Sequence, residues 1–239
     1  MPKPPFGRIL LKLSGEILAG ARHFGVDPTR AKGLAQEISS ARDLGVQMAV
    51  VIGGGNIIRG NKAAARGMDR VSADYLGMLA TIINAITLQD ALEEEGCDVR
   101  TLTAINISQL AEPYIRRRAL RHLQKGRVII IAGGTGNPYF STDTAAALRA
   151  TEIEADVVLK GTKVDGVYDR DPKTSHGAKR YEELTFQKVI EDGLKVMDLT
   201  AVTLCKENNL PIIVFDINVE GNLVRILSGE KVGTLVRGT

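Results

Sequence analysis

The chain has 239 residues, is 44% apolar and 25% charged, and carries a formal net charge of +3 from 31 basic and 28 acidic side chains. These values describe an ordinary folded globular chain and exclude a disordered tail, a collagen-like repeat and a strongly basic nucleic-acid coat. Two separated cysteines, Cys97 and Cys205, and three scattered histidines supply neither a disulfide framework nor a metal cluster, and aromatics at 4% with no Trp poorly supply a base-stacking platform.

Residues 8–13 form a short apolar run that predicts a buried strand ending at Ser14-Gly15. Residues 28–44 have helical spacing and stop at Gly45. Residues 47–52 predict a second buried strand, running into Gly53-Gly54-Gly55. Residues 71–95 carry long helical periodicity, and 99–102 predict a strand. Residues 113–125 predict a helix with Pro113 in its first turn. Residues 127–132 predict a strand running into Gly133-Gly134-Thr135-Gly136; an Ala-rich helix over 142–151 and a strand over 156–160 follow. Strands alternating with helices predict a parallel sheet covered on both faces. Residues 163–180 are polar and turn-rich. A helix over 198–208, a strand over 212–216, a helix over 219–227 and a strand over 233–236 complete the pattern. No apolar run reaches the roughly 18 residues of a membrane span, and the first residues lack a basic stretch followed by an apolar core. The expectation is one cytoplasmic domain over 1–239, with no membrane contact and two functional lobes.

Three strands end in glycine- or serine-rich loops, and ligands of open α/β sheets bind beyond the carboxyl ends of strands. Gly53-Gly54-Gly55 is not a dinucleotide fingerprint, because Ile58 stands where the third glycine is needed. It is not a Walker loop either, because Asn61 stands where lysine is needed. A plain tight turn needs fewer glycines. The functional reading is a backbone nest for an anion at a helix start, with Arg59 as a planar fork for phosphate. The loop over 133–143 repeats the theme with Thr, Asn and Ser groups, and Ser141 or Thr142 can also cap the next helix. Lys12 lies in an apolar strand beside Ser14-Gly15. Such a lysine usually snorkels to the surface, but at the ligand edge a fixed ammonium among phosphates is the better reading. Asp165, Asp169 and Asp171 miss the spacing of a calcium loop and read as turn formers. Three phosphate-friendly loops on one edge suggest two phosphorylated ligands, donor and acceptor.

Lys12-Leu-Ser-Gly-Glu16, Ile52-Gly-Gly-Gly-Asn56 with Arg59-Gly60, the segment 133–143, and 160–169 with Asp171-Pro172 together resemble the amino acid kinase family. The third segment resembles its UMP-phosphorylating bacterial branch. The resemblance covers nearly the whole chain. It implies a three-layer αβα sandwich with a mostly parallel central sheet, and phosphoryl transfer from ATP to UMP with Mg²⁺. It divides the domain at about residue 155 into a UMP-binding and interface lobe and an ATP-binding lobe over 156–239. It further implies a homohexamer activated by GTP and inhibited by UTP, serving pyrimidine nucleotide supply, with no nucleic acid required.

Carried over by position, Lys12 resembles the lysine that bridges the transferred phosphoryl group. Leu13, Ser14 and Gly15 resemble its neighbours on the ATP phosphates, with Gly55 and Arg59. Asp143 resembles the aspartate that orients the lysines, and Lys160 and Thr162 resemble donor-side residues. Tyr168 and Asp171 resemble residues of the adenosine pocket. Gly54 and Asp74 resemble UMP contacts, Asp74 at the ribose hydroxyls. Thr135, Gly136, Asn137, Pro138, Tyr139, Phe140, Ser141 and Thr142 resemble the uridine loop. The effector region would fall at Gly20, Ala21, Arg22, His23, Phe24 and Gly25 and the helix over 71–95, with Arg100 and Arg127. No carboxylate cage for Mg²⁺ is visible, so the metal is expected on phosphates and water. A kinase acting on a carboxylate or carbamate, and a nucleotide-binding regulator without catalysis, are the competing readings.

Overall fold

Runs such as Ile9-Leu10-Leu11 and Val128-Ile129-Ile130-Ile131 lie at 0–2% exposure, so they are buried on both faces of a sheet. The computed structural model describes residues 4–22, 24–59, 67–172, 174–175 and 177–238. In chain order its elements are β1 (Arg8–Leu13), α1 (Glu16–Ala19), α2 (Pro28–Arg42), β2 (Gln47–Ile52), α3 (Arg70–Glu94), β3 (Val99–Thr103), β4 (Glu112–Pro113), α4 (Arg116–Gln124), β5 (Val128–Ala132), α5 (Thr142–Glu152) and β6 (Val157–Thr162). Then come β7 (Val167–Tyr168), β8 (Arg180–Tyr181), β9 (Glu183–Thr185), α6 (Phe186–Glu191), α7 (Leu199–Glu207), β10 (Ile212–Asp216), α8 (Asn222–Leu227) and β11 (Thr234–Arg237).

Nine strands form one sheet in the order β4-β3-β5-β2-β1-β6-β10-β11-β9, and β7 pairs with β8 separately. Every pairing in the large sheet is parallel except β10 with β11. Alternation along the strands feeds two cores. Ile9, Leu11 and Leu13 of β1 join Leu34 and Ile38 of α2, Leu88 of α3 and Leu223 of α8 on one face. Leu10 joins Leu123 of α4, Ala146 and Ala150 of α5, Phe186 of α6 and Val202 of α7 on the other. The result is the expected three-layer α/β arrangement with a mostly parallel sheet.

Helix α2 starts where Asp27 accepts the Thr29 N–H at 3.0 Å and Pro28 sits in the first turn. By length and composition α3 is apolar enough to cross a membrane. It nonetheless contains Arg70 and Asp74, and it buries Met78, Ile82, Ala85, Leu88 and Leu92 inside the protein.

Four local expectations need correction. Pro113 does not open a helix; it lies on the two-residue edge strand β4, where a missing N–H is tolerated, and α4 starts three residues later at Arg116. The polar stretch after β6 contains the β7–β8 hairpin, whose two-residue strands are too short to leave a period in the sequence. The short α1, β9 and α6 escaped for the same reason. Among the described residues up to Arg59 the triple-glycine loop opens a turn rather than a helix: residues 55–57 form the turn, with Ile57 and Ile58 N–H groups on the Gly54 carbonyl.

Candidate active site

Period-two alternation sends Lys12 to the same side of the sheet as Leu10, and Lys160 to the same side as Val158. Lys12 and Lys160 are register partners on neighbouring strands β1 and β6, so two ammonium groups emerge side by side near the carboxyl ends. Helix α5 begins directly above them. Ser141 caps it, accepting the Asp143 and Thr144 N–H groups at 2.9 and 3.1 Å, and this places Asp143 in the first turn. A carboxylate there also suits the helix dipole. Asp143 Oδ1 lies 2.5 Å from Lys12 Nζ, and Oδ2 lies 2.9 Å from Lys160 Nζ. Lys160 Nζ also donates to the Val196 carbonyl at 2.5 Å. Lys12 is only 8% exposed, so it is a fixed group and not a snorkelling one.

Burial raises the Asp143 pKa, but Lys12 and Lys160 outweigh it and hold the carboxyl below its ordinary value. Burial pushes Lys160 below its ordinary value; Asp143 opposes that shift and Lys12 adds to it. Two cations and one anion leave this centre with one net positive charge, aimed at the end of the sheet where the loops converge.

Beside the centre is a cleft of about 320 Å³, lined among others by Gly54, Arg59, Asp74, Thr81, Thr135 and Tyr139. Its volume suits a small ligand. Helix α3 forms one wall. Any Cβ on Gly54 would stand 2.6 Å from Ala80 Cβ and 2.8 Å from the Gly77 carbonyl, so only glycine lets the loop touch the helix backbone. Asp74, one turn into α3, accepts the Arg70 Nε–H at 2.8 Å and the Tyr139 N–H at 2.8 Å. Tyr139 has φ 72°, a conformation that side chains rarely adopt and that collects at functional sites. The Arg70 guanidinium stacks 5.3 Å above its ring. The Gly133 N–H donates to Thr81 Oγ1 at 2.8 Å, tying the second glycine loop to the same helix. Arg59 lines the cleft and is ion-paired with Glu16.

The structure therefore brings together Lys12, Asp143 and Lys160, and gathers Gly54, Gly55, Arg59, Asp74, Thr135, Tyr139, Phe140, Ser141 and Thr142 around the cleft. Gly136, Asn137 and Pro138 are in the same loop, where Thr135 Oγ1 accepts the Asn137 N–H at 3.1 Å. Ser14 and Gly15 are at the end of β1. Leu13 ends β1 with its side chain fully buried in the core and its carbonyl accepting the Gly53 N–H. Thr162 ends β6, with its hydroxyl donating to the Val164 carbonyl at 2.7 Å. Tyr168 belongs to the hairpin beyond it and donates to Asp165 at 2.7 Å, and Asp171 follows that hairpin's first strand.

The effector candidates do not form one site within a chain. Gly20, Ala21, Arg22, Phe24 and Gly25 lie at the carboxyl end of the sheet, where the Gly25 N–H bonds the Asn56 carbonyl. Arg100 and Arg127 lie at the amino ends of β3 and β5, both paired with Asp98 at 2.9 and 2.7 Å. His23 and Gly60 lie outside the described residues. Among the described residues no group of three or more His, Cys, Asp or Glu could hold a metal ion.

Sequence reasoning overlooked Asp198. It accepts hydrogen bonds from Ser141 Oγ and from Thr144 Oγ1, the latter at 3.0 Å, and caps α7 through the Ala201 N–H at 3.0 Å. It thereby fastens the start of α5 to the start of α7. Its only sequence signal was that of a helix cap.

A family model described as the amino acid kinase family matches residues 7–216. The solved UMP kinase of Bacillus anthracis is 42% identical over 98% of this chain and 96% of its own, with a TM-score of 0.95. The UMP kinase of Ureaplasma parvum is 39% identical over 99% and 100%, with a TM-score of 0.91. The uridylate kinase of Archaeoglobus fulgidus is 29% identical over 95% and 99%, with a TM-score of 0.74. Fold, paired lysines and sequence likeness agree: the chain is a phosphotransferase of the amino acid kinase family, in the branch of the bacterial UMP kinases.

Proposed function

We propose that the chain transfers the γ-phosphoryl group of Mg-ATP to UMP, releasing ADP and UDP in pyrimidine nucleotide synthesis. The observation that carries this reading is the Lys12–Asp143–Lys160 centre beside a cleft walled by Asp74 and the 135–142 loop. In the reaction the bond from the γ-phosphorus to its bridging oxygen breaks, and a bond to a UMP phosphate oxygen forms. Two unit negative charges at ~4 Å repel by about 4 kcal/mol at an effective dielectric of 20. Lys12, Lys160 and Arg59 supply local positive charge against that repulsion, which the chain's net charge of +3 cannot do at a distance. The transition state of such transfers is loose, so positioning and charge stabilisation do most of the work. The acceptor oxygen is already ionised, and no side chain has to remove a proton from it. Mg²⁺ adds charge neutralisation on the ATP phosphates. Among the described residues the nearby carboxylates are engaged by cations, Asp143 by two lysines and Glu16 by Arg59.

In this reading residues 1–155 bind UMP, with Gly54 and the 135–142 loop on uridylate and Asp74 on the ribose hydroxyls. Residues 156–239 bind ATP, with Thr162, Tyr168 and Asp171 on the nucleoside and Ser14, Gly15 and Gly55 on its phosphates. The protein works in the cytoplasm as a homohexamer, responding to GTP as activator and UTP as inhibitor. Support for assembly comes from α3, where Tyr75, Leu76, Leu79 and Ile83 are 38–51% exposed along one stripe. Large exposed apolar stripes of this kind mark association surfaces.

The test is ADP release from Mg-ATP with UMP, CMP, acetylglutamate and carbamate offered separately. Turnover with UMP, and discrimination against CMP of up to about 10⁴, is the expected outcome if the base edge is hydrogen-bonded. Turnover with acetylglutamate or carbamate instead would void the uridine site, and ATP binding without turnover would favour a regulator. Asp74→Asn should raise the KM for UMP about tenfold and leave that for ATP nearly unchanged, since a lost hydrogen bond to a charged group contributes about 1.5–3 kcal/mol. The reverse pattern in steady-state kinetics would exchange the two lobes.

A further inference from the structure

Helix α3 meets the first residues after β2 through a pair that the reaction scheme above does not use, Asn84 of the helix and Asn56 of the triple-glycine loop. Asn84 is fully buried and Asn56 is 2% exposed, and their side-chain amides face each other. Asn84 Nδ2 donates to Asn56 Oδ1 at 2.7 Å, and Asn56 Nδ2 donates to Asn84 Oδ1 at 3.0 Å. The remaining amide hydrogens go to backbone. Asn84 Nδ2 donates to the Gly53 carbonyl at 2.7 Å, and Asn56 Nδ2 to the Gly25 carbonyl at 2.7 Å. Every amide hydrogen of the pair is therefore used, which is the condition for burying such groups at low cost. The first glycine loop rests on the same pair, for a Cβ on Gly15 would run into Asn56 Oδ1, the Gly53 carbonyl and Asn84 Nδ2.

One geometric consequence decides what the pair does. No peptide in the described chain is cis, so the Gly53–Gly54 peptide is trans and its N–H points opposite to its C=O. Asn84 draws the Gly53 carbonyl inward. The Gly54 N–H is thereby turned outward, toward the cleft that Gly54 lines. Neither glycine has a side chain to hold that plane, and apolar packing has no directional hold on a carbonyl. We propose that Asn84, backed by Asn56, is a positioning residue for phosphoryl transfer: it locks the Gly53–Gly54 peptide plane and so aims the Gly54 N–H at a nucleotide phosphate. This inference rests on the phosphoryl-transfer reading.

The experiment measures kcat, both KM values and thermal midpoints for the native chain and for Asn84→Ala, Asn84→Ser and Asn56→Ala. Asn222→Ala serves as a control for lost buried hydrogen bonds, because Asn222 is 5% exposed and its side-chain amide donates to the Asp216 carbonyl at the end of β10 at 2.9 Å, with no bond to either glycine loop among the described residues. Asn84→Ala should lose about 10- to 100-fold in kcat, less than the roughly 10²–10³-fold that deleting an oriented donor costs, because the Gly54 N–H is loosened and not removed, with both KM values within about threefold. Asn84→Ser keeps a hydroxyl donor near the Gly53 carbonyl and should recover several-fold of that loss; it is also the variant to read where Asn84→Ala does not fold. Asn56→Ala leaves the bond to Gly53 in place and should lose less than about fivefold. Asn222→Ala should lower the thermal midpoint with kcat unchanged. Native kcat in Asn84→Ala, no difference between its Ala and Ser variants, or a kcat loss in Asn222→Ala matching that of Asn84→Ala would overturn the positioning role. Absence of turnover with UMP in the native chain would instead overturn the reading of function on which it rests.

Discussion

Lys12→Ala should fold and lose about 10²–10³-fold in kcat, the scale on which single donors to a developing charge act in enzyme sites. The folding half of this expectation follows from charge arithmetic at the centre. Lys12 and Lys160 flank one carboxylate, at 2.5 and 2.9 Å. Removing Lys12 leaves a one-to-one pair of Asp143 with Lys160, so no buried charge is stranded. The large penalty for breaking a buried pair, about 3–5 kcal/mol, applies when a partner is left uncompensated, which is not the case here. The catalytic half follows from the same arithmetic. The native centre has one positive charge in excess, and the variant has none to offer to phosphates. Lys12→Arg should not restore the rate, because a planar guanidinium does not fit a site where the ammonium is 8% exposed. Steady-state kinetics beside a thermal melt check both halves. A native kcat in Lys12→Ala would remove Lys12 from the reaction, and an unfolded variant would mean that the lysine supports the fold instead.

The parts of this site that were legible in the sequence share one property: they are local. Strand β1 could be read from its apolar run, and Lys12 stood out because it interrupted that run beside a glycine loop. Gly53-Gly54-Gly55 stood out because a plain turn does not need three glycines. The chain's long helices were readable from period, and α3 was placed to within a residue at each end. What could not be read depends on pairing across the fold. Nothing in the sequence puts Lys12 opposite Lys160, a register that arises only once β1 and β6 are neighbours. Asn84 looks like a polar interruption in an apolar helix until the Gly53 carbonyl and Asn56 are packed against it. Asp198 looks like a cap and is one, but its second role, holding Ser141 and Thr144, needs α5 and α7 to meet. Pro113 misled for a physical reason as well. Proline suits both a first helical turn and an edge strand, and only the neighbouring strand β3 decides between them.

Asp143→Asn should slow turnover and move the alkaline limb of the kcat/KM profile for ATP to lower pH. The direction is fixed by what surrounds Lys160. Burial already holds this lysine below its ordinary pKa, and the Asp143 carboxylate is the main influence raising it again. Replacing that carboxylate by a neutral amide removes the opposing influence, while burial and the Lys12 charge remain. The Lys160 pKa therefore falls further, and the ammonium needed beside the phosphates is lost earlier as pH rises. Ionisations of the nucleotides are common to both enzymes and cancel in the comparison. Stability gives an independent check on the acid side. The Asp143 pKa is depressed in the folded state, so its contribution is present above the unfolded carboxyl pKa, about 4, and is lost as pH falls through the lower folded value. Asp143→Asn should remove this part of the acid sensitivity, so its unfolding free energy should change less steeply than the native one below about pH 4. An alkaline limb that stays in place or moves upward would show that Lys160 is not the group titrating there. Equal steepness in acid would show that Asp143 is not depressed by its two lysines.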